Sequence, residues 1–249
     1  MLIQVDLVSH IGYVRDKNED MVLVAGKLFR DADWQVDLVL TEESRLVAVV
    51  ADGMGGHRSG EVASEMAAAS FRDFVVSISP AIPTTLLKEL IRGWAEQIHQ
   101  ELLRKGASSA LFSGMGTTFC GLLFYESTVL AINIGDSRLY RYRDNMLKQI
   151  SIDHSLRQLM GDETLPSNEI YNSLGSGESV YVDIRDLTEQ LFHGDRFLIC
   201  SDGLSDMVSD EQIEQLLEHN GTAAALLDNA LIAGGRDNIS LVLITIKKN

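Results

Sequence analysis

The sequence predicts an α+β fold: a four-layer α-β-β-α sandwich in which two antiparallel sheets pack face to face and a pair of helices covers each outer surface. Three observations indicate this fold class. Apolar runs with the period of strands recur along the chain, they come in hairpin-like groups, and the long helix-period stretches occur in two pairs. A parallel α/β fold would instead need strands and helices in strict alternation.

Strands are predicted where Val, Ile, Leu and aromatic residues alternate with polar residues or run continuously. These runs cover residues 2–8, 21–25, 46–51, 117–125, 128–134, 138–142, 181–184, 196–200 and 239–246. Helices are predicted where apolar residues recur with the helical period. They cover residues 60–74, 84–105, 155–160, 210–219 and 222–232, with Ser209 or Asp210 as an N-cap.

Composition limits the domain organisation and the partners. A chain of 249 residues that is 45% hydrophobic can bury one substantial core, so we expect a single domain over residues 1–249. The formal charge is 21 − 36 = −15, which repels nucleic acid and anionic membrane surfaces. The apolar runs are too short for a bilayer span or a signal peptide. We therefore expect a cytoplasmic monomer that binds neither nucleic acid nor membrane.

The two cysteines do not indicate a cysteine-based site. Cys120 and Cys200 both lie in apolar, strand-like runs, where a thiol behaves as a small buried hydrophobe. Two isolated cysteines of this kind support neither a disulfide framework nor a four-ligand zinc site.

Aspartates beside glycine stand at the boundaries of the apolar strands. Asp52 and Asp202 each follow a very apolar run and precede a glycine, for which the ordinary explanation is a β-turn. Asp136 and Asp237 repeat the pattern, which makes coincidence an inadequate explanation. Clustered carboxylates repel one another unless cations neutralise them, and hard divalent ions favour all-oxygen ligands. The pattern therefore predicts a site for Mg²⁺ or Mn²⁺.

The segment 15–20 allows another metal-binding interpretation. Asp16, Asn18 and Asp20 alternate as in the first half of a calcium-binding EF-hand loop. However, Met21 and Lys27 replace the loop's required glycine and its closing glutamate, and a strand follows rather than a helix. An EF-hand is therefore not expected.

Six short motifs follow one another along nearly the whole chain. They are Arg15-x-x-Asn18-Glu19-Asp20, Ala51-Asp52-Gly53-Met54-Gly55-Gly56-His57, Gly116-Thr117-Thr118, Gly135-Asp136-Ser137-Arg138, Ser201-Asp202-Gly203-Leu204 and Gly235-Arg236-Asp237-Asn238. In this order they resemble the motifs of the metal-dependent serine/threonine protein phosphatases of type 2C, the PPM family, in a form similar to prokaryotic members. The resemblance implies hydrolysis of phosphoserine and phosphothreonine on proteins that a serine/threonine kinase has phosphorylated.

The resemblance also implies a set of metal ligands. Asp52 would bridge two tightly bound Mn²⁺ or Mg²⁺ ions, and the carbonyl of Gly53 would ligate one of them. Asp202 and Asp237 would hold the other ion. Asp136, together with Asp202, would hold a third and weaker ion beside the main pair.

Two further residues of the first motif complete the implied site. Asp20 would orient water on the metals, so it counts both as a metal-site residue and, with Asp52, as a catalytic one. Arg15 would clamp the substrate phosphate, because its planar fork can bind two phosphate oxygens and stays charged at any working pH. The reaction would need no covalent phosphoenzyme.

The chain departs from the family pattern near the implied site. Met54 stands where eukaryotic members have a histidine thought to act as general acid, and a thioether cannot donate a proton. We expect the structural role to be the commoner one for His57, which follows a Gly-Gly turn. The flap region, residues 156–179, ends in Asn172-Ser173-Leu174-Gly175 and is shorter and less basic than in the family. Residues 26–43 are interpreted as a solvated hairpin, with a partner surface as the alternative.

Two other functions remain open at this point. The first is a catalytically silent, phosphatase-like regulatory binding module, although the retained aspartates argue against it. The second is a two-metal phosphodiesterase or nuclease, since clustered carboxylates alone do not define the substrate. The negative charge and the lack of a basic track disfavour that second function.

Overall fold

The strand-forming runs of the sequence become two sheets in a computed structural model that describes residues 1–55, 59–162, 164–166 and 169–247. The strands are β1 Leu2–His10, β2 Met21–Val24, β3 Lys27–Phe29, β4 Ala32–Val39, β5 Arg45–Ala51, β6 Gly53–Met54, β7 Gly116–Thr117, β8 Phe119–Tyr125, β9 Thr128–Ile134, β10 Arg138–Arg143, β11 Met146–Gln149, β12 Asp183–Asp186, β13 Arg196–Cys200 and β14 Ile239–Lys247. Continuous burial of β5 and β8 explains why their sequences read as unbroken apolar runs.

Helices occupy the segments where the helical period was found. They are α1 Ser59–Ser77, α2 Thr84–Ser108, α3 Leu156–Met160, α4 Asp202–Ser205, α5 Asp210–Glu218 and α6 Ala223–Ile232. Ser209 is the N-cap of α5, and it forms a reciprocal capping box with Gln212. The cap satisfies backbone N–H groups that the first helical turn leaves unpaired.

Both sheets are antiparallel throughout. The first has the order β11-β10-β13-β14-β1-β4, and the second has the order β12-β9-β8-β5-β2-β3. The N-terminal and C-terminal strands pair along their whole length, from Leu2 opposite Lys247 to His10 opposite Ile239. A separate short antiparallel pair joins β6, which lies between β5 and α1 in the chain, to β7, which lies between α2 and β8.

Three apolar clusters define the layers. The central cluster joins the inner faces of the two sheets and includes Val50 and Ile199. A second cluster packs α1 and α2 on the outer face of the second sheet, where the Phe71 and Trp94 rings lie 4.6 Å apart. A third packs α5 and α6 on the first sheet. The predicted α-β-β-α sandwich is therefore confirmed, and Cys120 and Cys200 are buried free thiols within it.

The interpretation of residues 26–43 as a solvated hairpin is wrong. Strand β3 pairs with β2 in the second sheet, whereas β4 pairs with β1 in the first, so the segment crosses from one sheet to the other. In β4, the side chains of Trp34, Val36 and Leu38 pack against the central cluster, and the alternate residues are exposed. The sequence of this strand does alternate between apolar and polar residues. Its acidic residues occupy the exposed positions, and they favoured the interpretation of the whole segment as solvated.

Smaller differences concern elements with weak local signals. Strand β11 and the single turn α4 were not predicted, and β12 begins at Asp183 rather than two residues earlier. Each is short: β11 forms a hairpin with the preceding strand β10, whereas β12 pairs with β9, about fifty residues earlier in the chain. Within the described residues, no helix has the length and apolar character needed to cross a membrane.

Candidate active site

The predicted aspartates come from both sheets and meet at one rim of the sandwich. Asp52 directly follows β5, and Asp136 lies in the turn between β9 and β10. Asp202 follows β13 at the start of α4, and Asp237 precedes β14. These four side chains line one cavity of about 320 Å³. The order of the strands in the sheets, not their order in the chain, therefore builds the site.

Asp20 lies behind this cavity rather than at its surface. Its carboxylate is completely buried, and its Oδ2 accepts a hydrogen bond of 2.9 Å from the Ser201 hydroxyl. The other oxygen, Oδ1, has no hydrogen-bond partner within the described part of the chain. The Arg30 guanidinium donates to the Asp20 carbonyl at 3.0 Å and so fixes the backbone here. A buried carboxylate oxygen without a partner is costly unless a cation or water satisfies it.

The backbone of Asp52 is fixed by two threonines. Its N–H donates to the Thr118 hydroxyl at 2.9 Å, and its carbonyl accepts from the Thr118 N–H and the Thr117 hydroxyl at the same distance. Gly53 then enters β6, where a β-carbon would lie 2.5 Å from the Glu19 carbonyl oxygen and would also clash with the carbonyl of Gly60. Only glycine fits at this position.

The carboxylates raise one another's pKa. Burial, with the charges of Asp202 and Asp237 adding to it, raises the pKa of Asp20 to about 7. Burial and the facing charge of Asp237 raise the pKa of Asp202 to about 6. Burial, with the charges of neighbouring aspartates adding to it, also raises the pKa values of Asp52 and Asp136 well above the ordinary value of 3.8. The charged forms of these carboxylates therefore destabilise one another, and a bound divalent cation would relieve that repulsion.

Arg15 reaches the same cavity and pairs with one of the aspartates. Its Nη2 lies 2.5 Å from Asp237 Oδ2, while Asp237 Oδ1 accepts a hydrogen bond from the Asn238 N–H. The Arg15 side chain is 54% exposed, so its remaining donors face solvent. The structure thus brings the predicted phosphate ligand to the edge of the aspartate cluster.

The residues present fit hard divalent cations in their chemistry. The donors are all oxygen atoms, and Asp20 Oδ1 and Asp202 Oδ1 are both buried and unpartnered in the described ranges. As the side chains stand, no three acidic, histidine or cysteine groups of the described residues converge as ligands of one ion. In this arrangement Asp237 Oδ2 is paired with the Arg15 guanidinium.

Asn238 and Ser201 hold the segments around the site together by hydrogen bonds, although the sequence motifs that contain them predicted no role for either residue. Asn238 donates from Nδ2 to the carbonyls of Ile11 and Lys17 at 2.8 Å, and its Oδ1 accepts from the Glu19 N–H at 2.8 Å. Ser201 links Asp20 to β14. The available signal was a polar residue beside a long apolar run, which in a buried position must find hydrogen-bond partners.

Comparison with known proteins identifies the family. The sequence profile described as "Protein phosphatase 2C" matches residues 25–230, which is most of the chain. The chain belongs to the protein phosphatase 2C family. The motif resemblance is thereby confirmed.

Bacterial relatives support this membership over nearly full length. The chain is 31% identical over 247 residues to "Serine/threonine phosphatase stp" of Listeria monocytogenes, and the match covers 94% of this chain and 92% of that protein. It is 31% identical over 250 residues to "Serine/threonine protein phosphatase PstP" of Mycobacterium tuberculosis, and the match covers 96% of this chain but 44% of PstP.

Solved structures of the protein phosphatase 2C family have the same fold. The serine/threonine phosphatase of S. agalactiae superposes with a TM-score of 0.81 at 25% identity, covering 98% of this chain and 100% of that one. The Stp1 phosphatase of Staphylococcus aureus superposes with a TM-score of 0.80 at 28% identity, covering 98% and 95% of the two chains.

The departures from the protein phosphatase 2C pattern lie beside the cavity. Met54 and Ile170, the latter from the flap region, both line it, so both contribute apolar surface. Leu174 forms a bridge with Thr117, which ties the end of the flap to the strand pair that carries Gly53. His57 lies outside the described residues, and its predicted structural role stays a prediction.

Proposed function

We propose that this protein removes phosphate from phosphoserine and phosphothreonine side chains of proteins by direct attack of water, with divalent metal ions bound at the aspartate rim. As a member of the protein phosphatase 2C family, it is a metal-dependent serine/threonine protein phosphatase. The observation that carries the proposal is the meeting of four carboxylates from two sheets with an arginine in one cavity.

The proposed ligand assignment is the one that the family motifs imply, and the position of Asp52 supports it. Besides burial, the charges of four other aspartates raise the pKa of Asp52, namely Asp20, Asp202, Asp136 and Asp237. Asp52 therefore lies near the centre of the cluster, where a ligand shared by two ions would be expected. The Gly53 carbonyl and the Asp202 and Asp237 carboxylates would complete two tight sites, and Asp136 with Asp202 would hold a third, weaker ion. Mn²⁺ and Mg²⁺ both accept such oxygen ligands. When bound, these ions would lower the pKa of water and offset charge on the phosphoryl oxygens.

The protein's own side chains would position the substrate. The exposed Arg15 guanidinium would release Asp237 and bind two phosphoryl oxygens, holding the phosphorus atom over the rim. Asp20, fixed by the Ser201 hydroxyl, would accept a hydrogen bond from the attacking water and orient it. Met54 cannot protonate the leaving oxygen, so that proton would come from water rather than from this position.

The test is hydrolysis of p-nitrophenyl phosphate and of a phosphothreonine peptide. Activity is expected with added Mn²⁺ or Mg²⁺ and is expected to disappear in excess EDTA. Asp52→Asn removes one negative charge from the centre of the cluster, so it should abolish turnover and weaken metal binding in calorimetry. Full turnover in chelator would contradict the mechanism, and unchanged binding of two ions to Asp52→Asn would contradict its bridging role.

The same experiment decides between an enzyme and a regulatory module. A catalytically silent module would bind phosphopeptide, as measured by fluorescence anisotropy, without releasing phosphate at any metal concentration. No feature of the described residues favours that alternative over catalysis.

The finer assignments rest on chemistry and composition. We propose that residues 1–249 act as one catalytic domain, that it works as a monomer in the cytoplasm, and that its substrates are proteins phosphorylated by a serine/threonine kinase. The net charge of −15 supports the exclusion of nucleic acid and anionic membranes as partners. Pairing of the first and last strands supports a single domain.

A further inference from the structure

A second cavity adjoins the aspartate cavity on the side of Arg15. It has a volume of about 530 Å³ and is lined by Val14, Arg15, Asp16, Lys17, Glu19, Gly55 and Arg236. Three of these residues, Arg15, Glu19 and Gly55, also line the aspartate cavity. The two cavities are therefore adjacent, and a polypeptide whose phosphate reaches Arg15 would lie beside the second cavity.

Two cations of this second cavity are free to bind an anion. Lys17 and Arg236 are exposed, and neither forms an ion pair anywhere in the described part of the chain. The charge of Lys17 lowers the pKa of Glu19, but burial outweighs it and leaves that pKa raised. Free cations beside the site contrast with a chain whose formal net charge is −15.

The backbone that carries these two cations is fixed by hydrogen bonds across the rim. The Asn238 side chain, 5% exposed, donates to the Lys17 carbonyl at 2.8 Å and so joins the loop after β1 to the loop before β14. The Tyr13 N–H donates to the carbonyl of Gly235 at 2.7 Å, directly before Arg236. Both cations are thus presented on fixed loops at one face, rather than on independent mobile segments.

We propose that Lys17 and Arg236 form a second anion subsite, which recognises a further phosphate or an acidic side chain on the same substrate polypeptide, next to the phosphorylated residue being hydrolysed. This inference rests on the proposed phosphatase function. The acidic surface elsewhere repels multiply anionic peptides, so two free cations at the entrance determine which of them can approach. Asp16 lies in the same cavity and limits how much anionic charge the subsite accepts.

The experiment compares peptides that differ at one position. Each carries one phosphothreonine, and a second position, moved stepwise to either side, holds alanine, glutamate or phosphoserine. The expected result is a kcat/KM about fivefold or more higher for the glutamate or phosphoserine peptide at the favoured position, with the difference mainly in KM. Comparison of the glutamate and phosphoserine series shows whether a carboxylate suffices or a phosphate is needed.

Variants connect any preference to the two cations. Lys17→Glu combined with Arg236→Glu should bring the ratio of kcat/KM between anionic and alanine peptides to one or below. Lys17→Arg and Arg236→Lys should keep the preference. Lys148→Glu is the matched control, because Lys148 is exposed on β11 and lines neither cavity. Added salt should weaken the preference of the wild-type protein, since exposed charges are screened.

The outcomes separate this inference from the proposed function. Equal kcat/KM for all peptides, or a preference unchanged in the Lys17→Glu, Arg236→Glu double variant, would overturn the subsite while leaving the phosphatase function intact. Absence of metal-dependent hydrolysis of every peptide by the wild-type protein would instead overturn the phosphatase function. Circular dichroism and melting temperature confirm that each variant is folded.

Discussion

At the scale of single residues, Arg15 and Asp237 have competing partners. They contact each other at 2.5 Å, yet the proposed mechanism gives Arg15 to the phosphate and Asp237 to a metal ion. Their pair is largely exposed, so it contributes little to stability and opens at small cost. In the proposed mechanism the substrate phosphate would bind Arg15 and a metal ion would bind Asp237. The ion pair between them would then belong to the protein without substrate and metal.

Arg15→Ala is expected to weaken substrate binding and slow turnover while the metals are retained. A charge-assisted contact to phosphate contributes about 1.5–3 kcal/mol, so kcat/KM should fall by about one to two orders of magnitude. Metal affinity should stay the same or increase, because Asp237 loses its competing cation. Steady-state kinetics and manganese calorimetry on one preparation test this. Kinetics within twofold of wild type would remove Arg15 from the site.

Asp136 can be either a metal ligand or a turn residue. It is 6% exposed in the turn between β9 and β10, and its raised pKa reflects burial and the nearby Asp202. If it holds a third ion, Asp136→Ala should fold normally and keep two tight ions, while turnover falls about tenfold or more, which is about 1.4 kcal/mol in barrier. Melting temperature and turnover are measured together. A destabilised but fully active variant would show that Asp136 only shapes the turn.

At the scale of elements, the site depends on backbone segments packed without space for side chains. Strand β6 passes so close to the start of α1 that Gly53 has the backbone of Glu19 and Gly60 against it. Gly53 also lines the aspartate cavity. The short β6–β7 pair therefore acts as the link between the aspartate strand and the helix layer.

Gly53→Ala is expected to destabilise the protein by at least about 2 kcal/mol, because the new methyl group meets backbone atoms that cannot rotate away. The matched control is Gly93→Ala within α2, where a β-carbon meets nothing within 4 Å. That control should be neutral or stabilising by up to about 1 kcal/mol, because alanine favours helix. Urea unfolding measures both. Equal stability of the two variants would contradict the close packing of β6.

At the scale of the whole molecule, the carboxylate cluster makes stability depend on metal and pH. Burial and like charges raise the pKa of Asp202 from 3.8 to about 6 and that of Asp20 to about 7. The metal-free native state therefore holds these protons more tightly than the unfolded chain does. These two groups therefore contribute most to the stability of the metal-free protein below pH 3.8, their pKa in the unfolded chain. Their contribution is lost as the pH rises through their pKa values in the folded state.

Manganese should raise the melting temperature, and more at neutral pH than at mildly acidic pH. Protons compete with the ion for the same carboxylates, so the increment should shrink near pH 5. At about a hundredfold excess over its dissociation constant, an ion adds about 2.7 kcal/mol, or roughly 5–10 °C for a chain of this size. Thermal unfolding with manganese or EDTA at several pH values tests this. An increment independent of pH, or none, would contradict the proposed ligands.

Several features were determined by the sequence itself, because their cause is local. Apolar periodicity placed the long strands and helix pairs, and the capping signal at Ser209 located the start of α5. The sequence pointed to Asp52, Asp136, Asp202 and Asp237 because each stands beside a glycine-containing boundary of an apolar run. Their chemistry as oxygen donors follows from residue type alone, so a hard divalent ion could be proposed from the sequence and stays a prediction.

Only the tertiary structure decided how these local features combine. That β3 and β4 belong to different sheets depends on pairing with β2 and β1, which no local period encodes. Three contacts of the site join segments more than 180 residues apart in the chain. They are the hydrogen bond from Asn238 to the Lys17 carbonyl, the hydrogen bond from Ser201 to the buried Asp20, and the shared cavity of Lys17 and Arg236. The physical reason is that periodicity reports which face of an element is buried, whereas the partner buried against it is selected by packing and hydrogen bonding across the whole chain.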